Sequence, residues 1–209
     1  MKHSLKIALG VLALSINVSA AGKKADKKAA ATAETYKVDT TASVIEWKGT
    51  KKVGSFHTGD IKVQAGDIIV EKNQIKSGQF TVDMKTITNK DLTDADYNKK
   101  LVGHLSNEDF FNVTKFPIST FKLTSVTAGK NKDEVTVKGE LTMIGQTNPI
   151  EFPATVKIEN GTATGQATVK IDRTKWGLKY GSGNFFKELA GDKIINDEFE
   201  LTLKLVAKK

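Results

Sequence analysis

Few residues of this 209-residue chain could carry chemistry. There is no cysteine, which excludes a thiol nucleophile and a thiolate metal site. After the first 20 residues the histidines are His57 and His104. His104 and Asp109 could form an orienting pair for acid–base catalysis. A histidine at a helix end that bonds to nearby backbone explains the same spacing. No set of nucleophile, base and orienting group can be assembled, which favours binding over catalysis.

The sequence also lacks metal-ligand patterns. The two histidines are not at ligand spacing with any pair of carboxylates. Asp91, Asp94 and Asp96 lack the glycine and the distal glutamate of a calcium loop. We interpret them as acids at the start of a helix, where the helix dipole favours negative charge. We therefore expect no metal and no cofactor.

Arg173 is the single arginine of the chain. It is interpreted as an anchor for its loop, paired with Asp172 or another acid, with a ligand phosphate as the alternative partner. Residues 181–183 (Gly-Ser-Gly) indicate a flexible turn. Asn184 after them is the predicted N-cap of a short helix that ends at Gly191.

Most of the remaining chain alternates apolar and polar residues with the period of a β-strand. Residues 65–67 (Ala-Gly-Asp) are predicted to form a turn, and Asn160-Gly161 a tight hairpin. The predicted strands cover residues 44–47, 59–63, 68–70, 80–84, 118–126, 135–143, 150–158, 163–171 and 199–205.

The pattern predicts an all-β fold of about eight antiparallel strands, each with one apolar and one polar face. A single closed barrel fits, because it leaves no exposed strand edge. A β-sandwich is the alternative. One amphipathic helix is expected between strands 3 and 4, and the short helix at Asn184 before the last strand. Such a barrel encloses either a packed core or one small ligand.

The helical stretch begins at Thr93, which makes a capping-box-like start with Asp96. Tyr97, Leu101 and Leu105 then follow at spacings of four, as on one face of a helix. Phe110 and Phe111 come next. We expect this segment to cover one end of the barrel as a mobile lid, with Leu101 and Phe110 against a ligand.

Several residues predicted to face the barrel interior are small. They are Gly139, Ala154, Ala163, Gly165 and Ala167. Small inward residues on neighbouring strands can leave a lumen, and apolar lumens bind apolar ligands. They could equally match bulky partners such as Phe152 and Trp176 across a packed core. Periodicity alone does not decide between the two.

The first 20 residues predict a cleaved signal peptide: Lys2 and Lys6, an apolar run over 7–18, and small residues before position 21. The run is shorter than the roughly 20 residues of a membrane span. Residues 21–35 indicate a flexible linker rich in alanine and lysine. Of the net charge of +8, residues 1–20 contribute +2 and residues 21–35 another +2, leaving +4 for residues 36–209. That mixed surface with one arginine speaks against nucleic-acid binding.

Several stretches resemble the YceI-like family. Residues 104–111, with Phe116-Pro117 and Phe121 after them, are similar to its motif HLKSxDFF, and residues 36–47, 139–147 and 171–177 match further motifs. Ser106-Asn107, Ile144 and Lys175 depart from the family pattern. The resemblance covers residue 36 to the C-terminus. It implies a lipocalin-like barrel, secreted to the periplasm, that binds polyisoprenoids and similar amphiphiles.

The expected function is therefore to hold a long apolar chain, such as a polyisoprenoid or isoprenoid quinone. A fatty acid or fatty amide, an enzyme using His104 and Asp109, and a ligand-free interaction module are alternatives. His104 and Arg173 are the candidate headgroup contacts, and the oligomeric state stays open. The expected lumen and lid residues are Trp47, Phe80, Val82, Leu101, Phe110, Phe111, Phe121, Leu123, Leu141, Phe152, Gly165, Ala167, Val169, Trp176, Phe199, Leu201 and Leu203.

Overall fold

The structure, a computed structural model, describes residues 32–209. The predicted signal peptide and residues 21–31 of the predicted linker lie outside this range. Within it the strands are β1 (Glu34–Val38), β2 (Val44–Thr50), β3 (Phe56–Glu71), β4 (Gln74–Asp83), β5 (Ile118–Ala128), β6 (Glu134–Met143), β7 (Gln146–Glu159), β8 (Thr162–Asp172) and β9 (Glu198–Lys208). The helix α1 spans Ala95–Ser106, and short 3₁₀ helices span Met84–Thr86, Arg173–Trp176 and Gly191–Lys193.

The strands close into one antiparallel barrel, as predicted. The order is β2-β9-β8-β7-β6-β5-β4-β3, and β3 pairs with β2 again. β1 and β2 share one position of the barrel, because both lie between β3 and β9. The described chain therefore forms eight barrel positions from nine strands. Asn160-Gly161 makes the predicted hairpin, with positive φ at both residues.

The corner between β1 and β2 is held by Asp39. Its carboxylate accepts hydrogen bonds from the backbone N–H groups of Thr41 and Ala42, and from Lys208 Nζ at 2.7 Å. The Lys208 hydrogen bond, followed by the hydroxyl of Thr41, holds the pKa of Asp39 well below its ordinary value. The barrel wall thus continues from β1 to β2 although the chain leaves the sheet between them.

The predicted turn at residues 65–67 is wrong. β3 runs unbroken from Phe56 to Glu71, with a bulge between Val63 and Ala65. Gln64 and Ala65 are both exposed, so the inward positions shift from Ile61 and Val63 to Gly66 and Ile68. The true turn is Lys72-Asn73, with φ of 52° and 61°. Gly66 serves close packing instead, because a Cβ there would lie 2.8 Å from Val38 Cγ2 and 2.9 Å from the Gln79 carbonyl oxygen.

The helix begins one residue later than predicted. Asp94 is the N-cap and accepts hydrogen bonds from the N–H groups of Asp96 and Tyr97. Leu105 is buried and Leu101 half-buried, but Tyr97 is exposed, so the apolar face is narrower than predicted. The helix expected from Asn184 to Gly191 does not form. Turns occupy that segment, followed by the 3₁₀ helix Gly191–Lys193.

A polar network fixes the approach to α1 against β3. Asp91 accepts hydrogen bonds from Thr58 N–H at 2.7 Å and Asn89 Nδ2 at 2.6 Å, and lies 2.7 Å from His57 Nδ1. Asn98 of α1 donates to the carbonyl oxygens of Asn89 and Leu92. Burial raises the pKa of Asp91, but these hydrogen bonds outweigh it and hold that pKa below its ordinary value. The base of the helix is therefore tied to the wall.

A row of phenylalanine rings crosses the inside of the barrel. Phe80, Phe121 and Phe152 follow one another across β4, β5 and β7, with ring centroids 6.4 Å and 5.9 Å apart. Phe121 lies directly over Gly139, where an added Cβ would overlap its ring. Gly165 differs, since no heavy atom would lie within 4 Å of a Cβ there. Gly139 therefore accommodates the Phe121 ring, whereas Gly165 borders open space.

We expect Gly139→Ala to lower the free energy of unfolding by about 1–3 kcal/mol, because the methyl group would overlap Phe121. Gly165→Ala is the matched control, and it should be neutral or stabilise by about 0.4–1 kcal/mol. Urea unfolding of both variants measures the difference. Equal effects would show that both glycines border the same packing.

We expect Asp91→Asn to cost about 2 kcal/mol of unfolding free energy near pH 6, because hydrogen bonds to a charged group are lost. Since the folded pKa of Asp91 is lowered, its contribution is fully present above the unfolded pKa of about 3.9. It is lost as the pH falls below that value toward the folded pKa.

Urea unfolding at pH 6 and below pH 4 checks this prediction. The gap between wild type and Asp91→Asn should shrink in acid. Asp67→Asn removes an exposed carboxylate paired with Lys37 at 3.3 Å, and should change stability by less than about 0.5 kcal/mol. A gap that is the same at both pH values would contradict the role assigned to the carboxylate.

Candidate ligand-binding cavity

The two ends of the barrel differ in how they are closed. One end carries the β2–β3 turn, the β4–β5 connection with α1, and the connection from β8 to β9. The opposite end carries only short turns in the described chain. It is filled by a buried cluster of Tyr36, Ile68, Val70, Ala163 and Ala207. Access to the interior is therefore expected at the helix end.

A cavity of about 640 Å³ lies beneath the helix end. Its wall comes from the barrel strands, including Trp47, Val82 and Leu201, and its cover from α1 and the segment after it. The β8–β9 connection completes the cover with Leu178, Tyr180, Gly181, Phe186 and Leu189. The volume falls within the roughly 300–1,000 Å³ of small-molecule pockets.

A second space of about 160 Å³ lies deeper in the barrel. The phenylalanine row and the small residues Ala154, Ala163, Gly165 and Ala167 line it. Ile45, Val82, Leu141 and Leu201 border both spaces, so the two adjoin within one interior. The lining of the deeper space is almost wholly apolar, which suits a hydrocarbon chain and offers nothing to a charged group.

The structure places nearly all predicted site residues around this interior. Phe80, Phe121, Leu123, Phe152, Gly165, Ala167, Val169 and Leu203 border the deeper space, and Val82, Leu141 and Leu201 border both. Trp47, Leu101, Phe110, Phe111 and Phe199 border the larger cavity, with His104 and Arg173.

Trp176 is the exception to the predicted lining. It is 1% exposed and belongs to the core packed around Met143 and Phe152. Its Nε1 donates a hydrogen bond to the carbonyl oxygen of Leu141 at 3.0 Å. The 3₁₀ helix after β8 turns the indole into the packing beside β6, so it supports the wall from within the core.

Three rings join the two covering segments across the cavity mouth. His104 of α1 meets Tyr180 of the β8–β9 connection edge to face, at 4.7 Å between centroids. It meets Phe110 in the same way at 5.0 Å, and Phe110 lies 5.4 Å from Tyr180. Asp109 Oδ2 lies 3.2 Å from His104 Nε2. We call this set the aromatic clasp; it links the helix to the opposite side of the mouth.

Arg173 anchors the β8–β9 connection. It is 4% exposed, and its guanidinium donates to the carbonyl oxygens of Leu178 at 2.6 Å and of Asn196 and Ile195 at 3.1 Å. Asp197 Oδ1 lies 3.6 Å from it. Burial lowers the pKa of the guanidinium, and Asp197 and then Asp172 oppose the shift. The anchor interpretation accounts for these contacts, and Asp197 rather than Asp172 is the paired acid.

Several cavity residues were missed by the sequence reasoning. Phe56, Tyr180, Phe186 and Leu189 border the larger cavity. Phe56 begins β3, ahead of the predicted strand at 59–63, and the other three lie in the β8–β9 connection, which lacks strand or helix periodicity. Aromatic residues at positions 185 and 186, beside the glycines at 181 and 183, were the available signal. Two adjacent aromatic residues in a polar connection indicate that at least one ring packs on an apolar surface, which here is the barrel interior.

No group of three or more histidine, aspartate and glutamate side chains within residues 32–209 is arranged to hold a metal ion. Over the same residues, no helix has the length and apolar character needed to cross a bilayer.

Solved structures share this architecture. BcnA of Burkholderia cenocepacia superimposes with a TM-score of 0.62 at 23% identity, over 82% of this chain and 99% of that one. A polyisoprenoid binding domain from Saccharophagus degradans, implicated in plant cell wall breakdown, gives 0.58 at 15% identity, over 83% and 97% of the two chains. At these identities the likeness shows the fold.

Sequence comparison shows the family. A UPF0312 protein of Pseudomonas putida is 30% identical over 185 residues, which is 84% of this chain and 88% of the relative. Protein YceI of Shigella flexneri is 33% identical over 96 residues, 46% of this chain and 47% of the relative. The YceI-like domain model matches residues 36–207. The chain therefore belongs to the YceI-like family.

Proposed function

We propose that this protein binds one long apolar chain, such as a polyisoprenoid or isoprenoid quinone, in the barrel interior and keeps it from water. The observation that carries the proposal is the pair of adjoining apolar spaces of about 640 Å³ and 160 Å³. The deeper one borders Gly165, where no heavy atom would lie within 4 Å of an added Cβ.

The energetics favour a hydrocarbon over a polar ligand. Each CH₂ group transferred from water into such a space gains about 0.8 kcal/mol. The lining of the deeper space is almost wholly aliphatic and phenylalanine side chains, with glycine and alanines, so affinity should rise with the length of the hydrocarbon chain. Polar groups lie at the mouth, where His104, Lys193 and Asn196 border the larger cavity. A headgroup would remain there, with the chain pointing inward.

The comparison with the Saccharophagus degradans domain supports the choice of ligand class, since that protein is described as polyisoprenoid binding. We infer that the same class fits here because the barrel fold is shared and the interior of this barrel is apolar. A fatty acid or fatty amide would satisfy the same walls, so the length and branching of the chain must be measured.

We further propose that the protein acts in the periplasm after removal of residues 1–20. The support is the sequence: a positive start, an apolar run too short to span a bilayer, and small residues before position 21. An apolar carrier suits that compartment, because lipids must cross an aqueous gap between two membranes.

We favour a binding role over catalysis. His104 lines the larger cavity and lies 3.2 Å from Asp109 Oδ2, and it is also held by Phe110 and Tyr180. Those contacts fit a residue that joins two covering segments. No serine, lysine or other nucleophile of the described chain accompanies the pair in the geometry of a catalytic triad.

Native mass spectrometry of the protein, purified without detergent, tests the proposal. A mass excess that disappears on solvent extraction and is identified as an isoprenoid chain is the expected result. Fatty acids or amides in the extract would change the ligand class. A protein that carries no adduct and takes up no added polyprenol would contradict the proposal.

We expect Gly165→Phe to lower polyprenol affinity at least tenfold while the protein stays folded, because the ring would occupy the deeper space. Ala167→Phe should act in the same way. Thr168→Phe places the same ring on the outer face of β8 and is the control. Titration with a fluorescent polyprenol measures uptake, and thermal unfolding checks the fold. Uptake by Gly165→Phe equal to that of Thr168→Phe would place the ligand elsewhere.

We expect bound ligand to slow amide hydrogen exchange across residues 93–111 more than across residues 199–205 of β9. The reason is that α1 packs on the mouth through few side chains and can open without unfolding the wall. Exchange with and without polyprenol measures this. Equal protection in both segments, or protection confined to the region of Trp176, would show that the lid lies elsewhere.

A further inference from the structure

Exposed apolar side chains are concentrated at the mouth of the barrel. We define the rim patch as Val53, Phe56, Tyr180, Phe185 and Phe186, which are between 41% and 60% exposed. The turns at the opposite end are polar, formed by residues 72–73, 129–133 and 160–161. Scattered apolar residues need no explanation, but a cluster at one end of a barrel indicates an interaction surface.

The rim patch is one surface held by backbone hydrogen bonds. Lys52 N–H donates to the carbonyl oxygen of Ile194, and Asn196 N–H to that of Thr50, both at 2.9 Å. The β2–β3 turn and the β8–β9 connection are thereby joined side by side. Val53 also lies near Gly191. The exposed rings are therefore presented together.

The rim patch is continuous with the cavity. Phe56, Tyr180 and Phe186 border the cavity of about 640 Å³ and are also exposed to solvent. An apolar path thus leads from the barrel interior to the outer surface at this end. A ligand leaving along that path would meet whatever covers the rim patch.

Lysine side chains surround the same rings. Residues 51–56 and 179–193 contain five lysines (51, 52, 179, 187 and 193) and two acids (188 and 192), leaving a charge of +3. Lys179 Nζ lies 4.6 Å from the centroid of Phe185, and Lys48 Nζ lies 5.0 Å from that of Phe56. Aromatic rings interleaved with lysines are typical of surfaces that lie in the interface of an anionic bilayer.

We propose that the rim patch docks on a membrane surface containing anionic lipid, with the rings among the headgroups and the lysines on lipid phosphates. A second copy of this chain fits less well, because a twofold pairing would set the lysines of one copy against those of the other. The inference goes beyond the proposed function, since docking requires no ligand in the barrel.

The test is flotation of the purified full chain with vesicles of phosphatidylcholine alone or mixed with phosphatidylglycerol. Binding to the mixed vesicles that weakens as salt is raised is expected. Phe185→Ser/Phe186→Ser should weaken binding at least about tenfold. Val44→Ser alters an exposed apolar residue on the outer wall and should bind as wild type. All variants carry the same N-terminal residues, so a difference in vesicle binding between them comes from the substituted side chains.

A charge pair of variants keeps the test independent of the aromatic rings. Lys179→Glu/Lys187→Glu should weaken binding to the mixed vesicles several-fold. Lys157→Glu should not, because Lys157 lies near the end of β7 that is farthest from the mouth. Gly165→Phe should dock unchanged, which separates docking from lumen binding. Failure of wild type to bind mixed vesicles, or wild-type binding by both rim variants, would overturn the proposal. So would a dimer in sedimentation velocity that Phe185→Ser/Phe186→Ser dissociates, because a second copy would then cover the patch.

Discussion

An eight-stranded barrel encloses an interior that side chains must fill or a ligand must occupy. The rest of this structure depends on how that interior is filled. Phe80, Phe121 and Phe152 fill one side, with Phe121 lying over Gly139. Across the barrel, Gly165 has no ring above it. The interior is thus packed on the phenylalanine side and open beside Gly165. The same sequence therefore provides both a packed wall and a lumen.

The mouth of the barrel also combines a firmly paired wall with a cover that is held by fewer contacts. The strands are tied by continuous pairing, as β8 and β9 are from Thr162–Lys208 to Asp172–Glu198. The two covering segments are tied mainly at their bases, by the Asp91 network below α1 and by Arg173 in the β8–β9 connection. Between them, contact is made through the aromatic clasp of His104, Phe110 and Tyr180. Such a cover can open while the wall stays intact.

The barrel and most of its lining could be predicted, because alternation of residue type decides which face of each strand is buried. The β3 bulge could not be predicted, since one extra residue reverses that alternation. Gly66 was mistaken for a turn residue, whereas it allows close approach of Val38 and the Gln79 backbone. Periodicity also could not separate Gly139 from Gly165, because the difference lies in a ring on another strand. Tyr180 and Phe186 were missed because connections have no regular alternation, and Phe56 because β3 begins three residues before the predicted strand at 59–63. Trp176 was placed in the lumen because its position after β8 does not reveal the rotation of the 3₁₀ helix.

The proposed function requires one apolar chain to run from the mouth into the space beside Gly165. A crystal structure with a long alkyl or polyprenyl chain brominated at its terminal carbon tests this most directly, since anomalous scattering locates the bromine. We expect a single bromine site inside the barrel, in contact with Gly165 and Ala167, and a headgroup near His104. Bromine found only on the outer wall or the rim, with the deeper space unchanged, would contradict it.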